Sequence, residues 1–293
     1  MKTKKLSVVI KNYLQSDTFK SLSAKSQKDY QYFLSKWYSP ELLAKDVSTL
    51  TTPMWQSLYD KTYAETPSTA NHSLAVWRAL FKHAVGEGWI KYNPVREVDS
   101  RLPKRRSVCW TREDISRFLN VAYSRFEGRS IGLIVQMAHE WGQRVGDLRV
   151  LQWDNYCLQT GNVTIGKTKR KEETIIPSSK ELKEMLSKQY EDYGWQKYVV
   201  PSSKPDGKGG LLPYTETGVS KIANKIKEAA GVAFELQLSD LKRTALTEML
   251  EYGVPLHNIM SITGHSSPYA LNPYIKHSLA LSSEAMRMRK LIE

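Results

Sequence analysis

Cysteine is scarce in this chain: there are two in 293 residues, Cys109 and Cys157. So small a pair makes neither a disulfide framework nor a metal-ligand cluster. Disulfide-stapled secreted folds are excluded, no zinc site is readable, and a reducing cytoplasm is the expected setting. Negative charge is also short, at 30 Asp plus Glu against 43 Lys plus Arg, for a net charge of +13. That balance favours a polyanionic partner over an acidic small molecule. Neither a secretory leader nor a membrane span is expected at the start, because Lys11 and Asn12 break the short apolar run of MKTKKLSVVIKNYL and no small-residue cleavage site follows. Internal repeats are lacking too. What remains is enough length for two domains of ordinary size, each able to bury its own core.

Helical spacing runs through residues 1–95. Leu6, Val9, Ile10, Tyr13 and Leu14 mark a first helix, and Ser23 caps a second whose inward face holds Tyr30, Phe33, Leu34 and Trp37. Thr52-Pro53 opens a third, where the missing proline N–H costs nothing. A fourth begins at Ser68 or Thr69 and turns Leu74, Trp77, Leu80, Phe81, Ala84 and Val85 inward, until Gly86, Gly88 and Asn93-Pro94 end it. With almost no β-branched alternation, this predicts an all-α domain whose polar faces carry Lys25, Lys28, Lys36, Arg78 and Lys82. Residues 96–109 hold Arg101, Pro103, Lys104, Arg105 and Arg106 without apolar periodicity, and read as a basic linker. Such a run can lie across phosphates, each contact adding affinity through counterion release.

A second domain begins at residue 110. Thr111 and Asp114 have the spacing of a capping box, 131–140 is a mostly apolar helix, and Gly142 breaks it. Val145, Leu148, Leu151 and Trp153 then form a core face. NVTIG and ETIIP alternate like paired strands around the polar turn KTKRKE, which predicts a β-hairpin. Helices follow over 180–190 and 217–230, separated by PSSKPDGKGG, whose proline and glycine content reads as a surface loop.

The last quarter reads LSDLKRTALTEMLEYGVPLHNIMSITGHSSPYALNPYIKH. Ser239 or Asp240 can cap a helix that carries Arg243 in its first turn and ends at Gly253. Another runs from Pro255 with Leu256, Ile259, Met260 and Ile262 as its apolar face and stops at Gly264, leaving His265 just beyond it. Tyr274 lies nine residues further on (274 − 265). Three successive element ends thus deliver an arginine, a histidine and a tyrosine.

The order R-T-A, G-H-S-S and then Y-I-K-H resembles the second signature box of the tyrosine recombinases, the phage integrase family. GQRVGDLRVLQW resembles the first box, with Arg144 at its first catalytic arginine and Asp147 at the acidic position three residues on. A helix would place that pair on one face. AVWRALFKHAV leading to Y-N-P is similar to the family's core-binding segment. The resemblance spans nearly the whole chain. It implies an N-terminal all-α, SAM-like core-binding domain over 1–95, a linker over 96–109, and a mixed α+β catalytic domain over 110–293 ending in a tail helix. No arm-binding domain is expected ahead of a core-binding segment that starts almost at residue 1.

The same resemblance implies an activity, metal-free and cofactor-free strand transfer on double-stranded DNA. A tyrosine attacks the scissile phosphate, leaves a 3′-phosphotyrosyl bond and frees a 5′-hydroxyl. The residue types suit this chemistry, since arginine offers a planar, permanently charged fork to phosphate oxygens, so Arg144 and Arg243 can neutralise the transition state. Phenols ionise near pH 10, so attack at neutral pH needs positive charge and a proton acceptor nearby. Tyr274 is the expected nucleophile in preference to Tyr269, because it carries the Tyr-x-x-His follow-on to His277. His265 would donate to a phosphate oxygen or take the phenolic proton. The family's leaving-group acid is a hairpin lysine, and Lys167 and Lys169 share strand parity. Lys167 follows the glycine as in some relatives; Lys169, slightly preferred, better keeps the usual distance to Pro177.

Two positions depart from the pattern. Asp240 stands where the family usually has histidine or lysine, and is expected to cap its helix or orient an arginine. Pro273 should push Asn272 out of helical geometry and leave Tyr274 on an irregular turn. In the tail, Leu281, Ala285, Met288 and Ile292 share a helix face that the resemblance docks on a neighbouring subunit, in a tetramer on two DNA sites. Accessory DNA-bending proteins are further expected partners, a membrane is not, and the nucleoid is the expected location. Two rival readings stay open: a DNA-binding regulator on a decayed scaffold, and a type IB-like topoisomerase.

Overall fold

In a computed structural model, which describes residues 4–36, 39–102, 106–166, 173–265, 267–274, 283 and 286–289, the chain divides into two units, Met1–Arg106 and Ser107–Glu293. The first is built of α1 (Leu6–Gln15), α2 (Asp17–Lys20), α3 (Ala24–Lys36), α4 (Pro40–Ala44), α5 (Thr52–Glu65) and α6 (Pro67–Gly86). Aromatic rings fill its centre: Trp55 lies 4.8 Å from Trp77 and 5.1 Å from Phe81, centroid to centroid. Such offset and edge-on pairs add to the area they bury. The one-turn helices α2 and α4 are too short for periodicity to reveal. Serine caps open both, Ser16 accepting from Phe19 N and Ser39 from Leu42 N. The fourth long helix starts at Pro67, just before the expected Ser68 or Thr69. Trp37 lies outside the described residues.

The predicted linker begins too early. Val95 and Val98 are buried, and Arg78 donates to the carbonyls of Val95 and Val98 at 3.5 and 3.1 Å. Arg101 donates its backbone N–H to Tyr59 Oη at 2.8 Å, pairs with Asp60, and lies 4.5 Å over the Tyr63 ring. Residues 96–101 are therefore held against the helical unit; two valines are too few to register as a periodic pattern.

The second unit is wrapped around α8 (Phe126–Glu140), in which Ile131, Leu133, Ile134, Val135, Met137 and Ala138 have no exposed surface. A helix apolar on all sides must be central, and α7 (Arg112–Tyr123), α10 (Lys180–Tyr193), α11 (Glu216–Ala229) and α12 (Asp240–Glu251) pack on it. Thr111 and Asp114 form the expected capping box on α7. The four-residue α9 (Val145–Leu148) leads to an antiparallel sheet of β1 (Tyr156–Cys157), β2 (Asn162–Gly166) and β3 (Glu173–Pro177), in that order. The hairpin β2–β3 matches the sequence expectation, whereas the two-residue β1 left no alternation to read.

PSSKPDGKGG is not a plain loop: β4 (Pro201–Pro205) pairs antiparallel with β5 (Leu211–Pro213). Asp206 Oδ1 closes its turn by accepting from Lys208 N at 2.7 Å and Gly210 N at 2.9 Å. The prolines make the ladder irregular, which hides it from alternation. Finally α13 (Leu256–Thr263) and a 3₁₀ turn, Pro268–Tyr274, complete the described chain apart from tail residues. Of the tail face, Met288 is exposed and Leu281, Ala285 and Ile292 lie outside the described residues. Among the described residues, no helix is long and apolar enough to cross a membrane.

The start of α8 passes so close to the end of α7 that a Cβ on Gly128 would sit 2.4 Å from the Ala122 carbonyl oxygen. Gly128→Ala should therefore destabilise the protein by roughly 1–3 kcal/mol through overpacking, read as a lower urea midpoint with an unchanged slope.

Candidate active site

Trp110 pins the start of α12. Its backbone N–H donates to Thr244 Oγ1 at 2.9 Å and its indole N–H to the Gln237 carbonyl at 2.9 Å, while Thr244 Oγ1 donates to the Asp240 carbonyl at 3.0 Å. Ser239 already has helical backbone angles and makes no side-chain cap. Asp240 is not an N-cap either. Its buried carboxylate accepts from Gln237 N at 2.9 Å, closing the turn before the helix, and its charge reaches Lys227. Lys227 in turn donates to the carbonyls of Phe234 and Leu236 at 3.2 and 2.9 Å.

Gly142 brings the first arginine to this helix. Its φ of +60° lies in the left-handed region that favours glycine, and Ala245 and Leu246 lie in ordinary contact range, 3.7 and 3.5 Å from where a Cβ would stand. Gln143 Nε2 then donates to the Ile262 carbonyl at 2.8 Å, tying the segment to α13. Arg144 follows as the extended residue before α9, and its carbonyl accepts from Asp147 N at 2.9 Å. Both side chains are exposed. Because Arg144 lies outside the helix, a capping turn and not a shared helix face relates it to Asp147.

Arg243, His265 and Tyr274 come together. Arg243 Nη1 donates to the Pro273 carbonyl at 3.1 Å, and its guanidinium carbon lies 5.2 Å over the Tyr274 ring. The His265 ring is 6.3 Å from that of Tyr274. Gly264, at φ +73°, makes the left-handed exit that aims His265 past the end of α13. Tyr274 packs against the small core of Leu246, Leu250, Ile259 and Leu271. The turn expected to be irregular is 3₁₀, with Pro273 inside it. The rival Tyr269 is 83% exposed.

Thr263 sets the histidine's tautomer. Its hydroxyl donates to the Ile259 carbonyl at 2.7 Å and also lies 2.7 Å from His265 Nδ1. A hydroxyl has one proton, so Nδ1 is the donor and Nε2 carries the lone pair in the neutral ring. Lys242, absent from the sequence-predicted site, is 7% exposed. Burial pushes its amine down to about 8, helped by the Arg144 charge and opposed by that of Asp147. A signal was there to find: positions 242, 245, 246 and 249 share a helix face, where Ala245, Leu246 and Met249 are apolar and the first is a lysine.

Of the other expected site residues, Lys167, Lys169, His277, Lys104 and Arg105 lie outside the described residues. Lys82 and Arg106 are exposed, while Arg78 and Arg101 are engaged within the helical unit. Among the described residues, no group of three or more His, Cys, Asp or Glu could hold a metal ion. Thr263→Val should abolish the preference for the Nδ1–H tautomer of His265, and the imidazole ¹⁵N shifts will report it; an unchanged tautomer would show that another group sets it.

Residues 110–280 match the model of the phage integrase family. The chain is 25% identical over 288 residues to tyrosine recombinase XerA of Pyrococcus furiosus, covering 94% of this chain and 93% of that one. It is 22% identical over 269 residues to tyrosine recombinase XerC of Oceanobacillus iheyensis, covering 88% and 79%. Its fold is shared with a lambda integrase dimer bound to a core site, at TM-score 0.75 and 19% identity over 93% of this chain and 77% of that one. A lambda integrase tetramer on a Holliday junction gives 0.76 at 18% identity, covering 94% and 80%. With more than half its length matched by the family model, the chain belongs to the phage integrase family of tyrosine recombinases.

Proposed function

We propose that this protein is a site-specific recombinase that cuts and rejoins double-stranded DNA through a 3′-phosphotyrosyl intermediate, without a metal. The observation that carries this reading is the convergence of Arg243, His265 and Tyr274 from three separate element ends. In the proposed step, Tyr274 Oη attacks phosphorus and loses its proton to His265 Nε2, while the bond to the 5′-oxygen breaks. Arg144 and Arg243 hold the non-bridging oxygens, where charge grows. A hairpin lysine, Lys169 in preference to Lys167, gives its proton to the leaving oxygen; attack by the 5′-hydroxyl of a partner strand reverses the sequence and reseals the DNA.

Support for the partner comes from the net charge of +13 and from solved relatives whose structures hold DNA, one of them a tetramer on a Holliday junction. We assign this chain the same working assembly, a tetramer on two DNA sites in the nucleoid, with Lys82, Lys104, Arg105 and Arg106 among the residues that meet DNA phosphates and accessory DNA-bending proteins as further partners.

Tyr274→Phe should abolish covalent attachment to a nicked duplex while leaving DNA affinity unchanged, since only the phenolic oxygen is lost. An adduct that survives in Tyr274→Phe and disappears in Tyr269→Phe would move the nucleophile to Tyr269. Replacing the 5′-oxygen with sulfur makes a leaving group that needs no proton. The sulfur substrate should restore cleavage to Lys169→Ala but not to Arg144→Ala, and rescue of Lys167→Ala alone would transfer the role to Lys167.

A further inference from the structure

Lys242 is a buried cation for which the steps above have no use. The 100° advance per helical residue sets Asp240 and Lys242 on opposite sides of Arg243. Asp240 is turned to Gln237 and Lys227, back into the fold. Lys242 lies on the face of α12 that carries Ala245 and Leu246, the two residues packed against Gly142. One turn earlier on that face, it reaches the next stretch of the same chain, Arg144 to Asp147, and the charges of those two residues are the ones that act on its amine. Among the described residues, no hydrogen bond or ion pair holds that amine, although the side chain is only 7% exposed.

A desolvated ammonium with an arginine beside it is costly, and folds keep such a group paired or replace it with an apolar one. Among the described residues, the charges that act on Lys242 are those of one cation, Arg144, and one carboxylate, Asp147, and Arg243 follows it directly along α12, so positive charge outnumbers negative here. Arg144 and Asp147 are exposed, so this excess of positive charge borders the protein surface. We propose that Lys242 is a third phosphate-contacting cation, a catalytic residue that binds a non-bridging oxygen of the scissile phosphate alongside Arg144. It supplies from one side of Arg243 the positive charge that Asp240 does not supply from the other. The inference rests on the strand-transfer reading above.

The test is single-turnover adduct formation on a nicked duplex with saturating enzyme. Lys242→Met, similar in shape and uncharged, should cleave roughly a hundredfold more slowly than the parent, the usual scale for losing one preorganised donor. Its thermal midpoint should not fall, because the change removes a buried charge. On a duplex with a methylphosphonate at the scissile position, one non-bridging oxygen and its charge are gone, so the gap between variant and parent should close to a few-fold for at least one diastereomer. The pH profile gives an independent arm. The Lys242 amine lies low, at about 8, so its charge is present below that pH and lost above it. The parent rate should therefore decline through that range relative to Lys242→Arg, whose guanidinium stays charged.

Equal cleavage by Lys242→Met and parent, or a gap unchanged on both methylphosphonates, would overturn the role and leave Lys242 a counter-ion for Asp147. If Lys242→Met does not fold, the Lys242→Arg comparison decides, and parallel pH profiles overturn the proposal. A parent that forms no adduct at all refutes the recombinase reading and this role with it, whereas a cleaving parent confines any failure to Lys242.

Discussion

The approach of α12 to the turn at Gly142 is the contact on which the catalytic unit depends. Arg144 and Arg243 are 99 residues apart in sequence (243 − 144), and nothing local holds them together. A glycine with positive φ makes the turn beside Ala245 and Leu246, and Gln143 then ties the same segment to the carbonyl of Ile262. Trp110 fixes the other end of the docked helix through Thr244 and Gln237. These contacts are short and directional, and they set helix position more sharply than apolar burial alone can.

The way the cations are held also bears on function. Arg243 is oriented by a neutral carbonyl, that of Pro273, so it keeps its charge available while its position is set. Lys242 is buried beside Arg144. The acid closest in sequence, Asp240, is occupied by the turn at Gln237 and by the charge of Lys227. Tyr274 sits under Arg243 with His265 close by. The helical unit uses its basic residues differently: Arg78 braces the Val95–Val98 segment and Arg101 stacks on Tyr63, so part of the positive composition is structural.

Much of this was determined by the sequence alone. Local signals suffice where the physics is local: the capping box at Thr111, the alternation of NVTIG and ETIIP, the proline at the head of α5, and the glycine exit that presents His265. The motif order around Arg144, Arg243, His265 and Tyr274 was enough to identify the family, because residue types and spacing carry that information. Tertiary structure decided the rest. It folded residues 96–101 back on the helical unit, turned a proline- and glycine-rich stretch into the β4–β5 hairpin, and made Asp240 a buried turn-closing acceptor instead of a cap. It also gave Thr263 control of a tautomer and Lys242 a place beside Arg144. Each of these depends on a partner distant in sequence or on a backbone angle set by packing, and propensity and periodicity, which sum only over neighbours along the chain, carry no information about either.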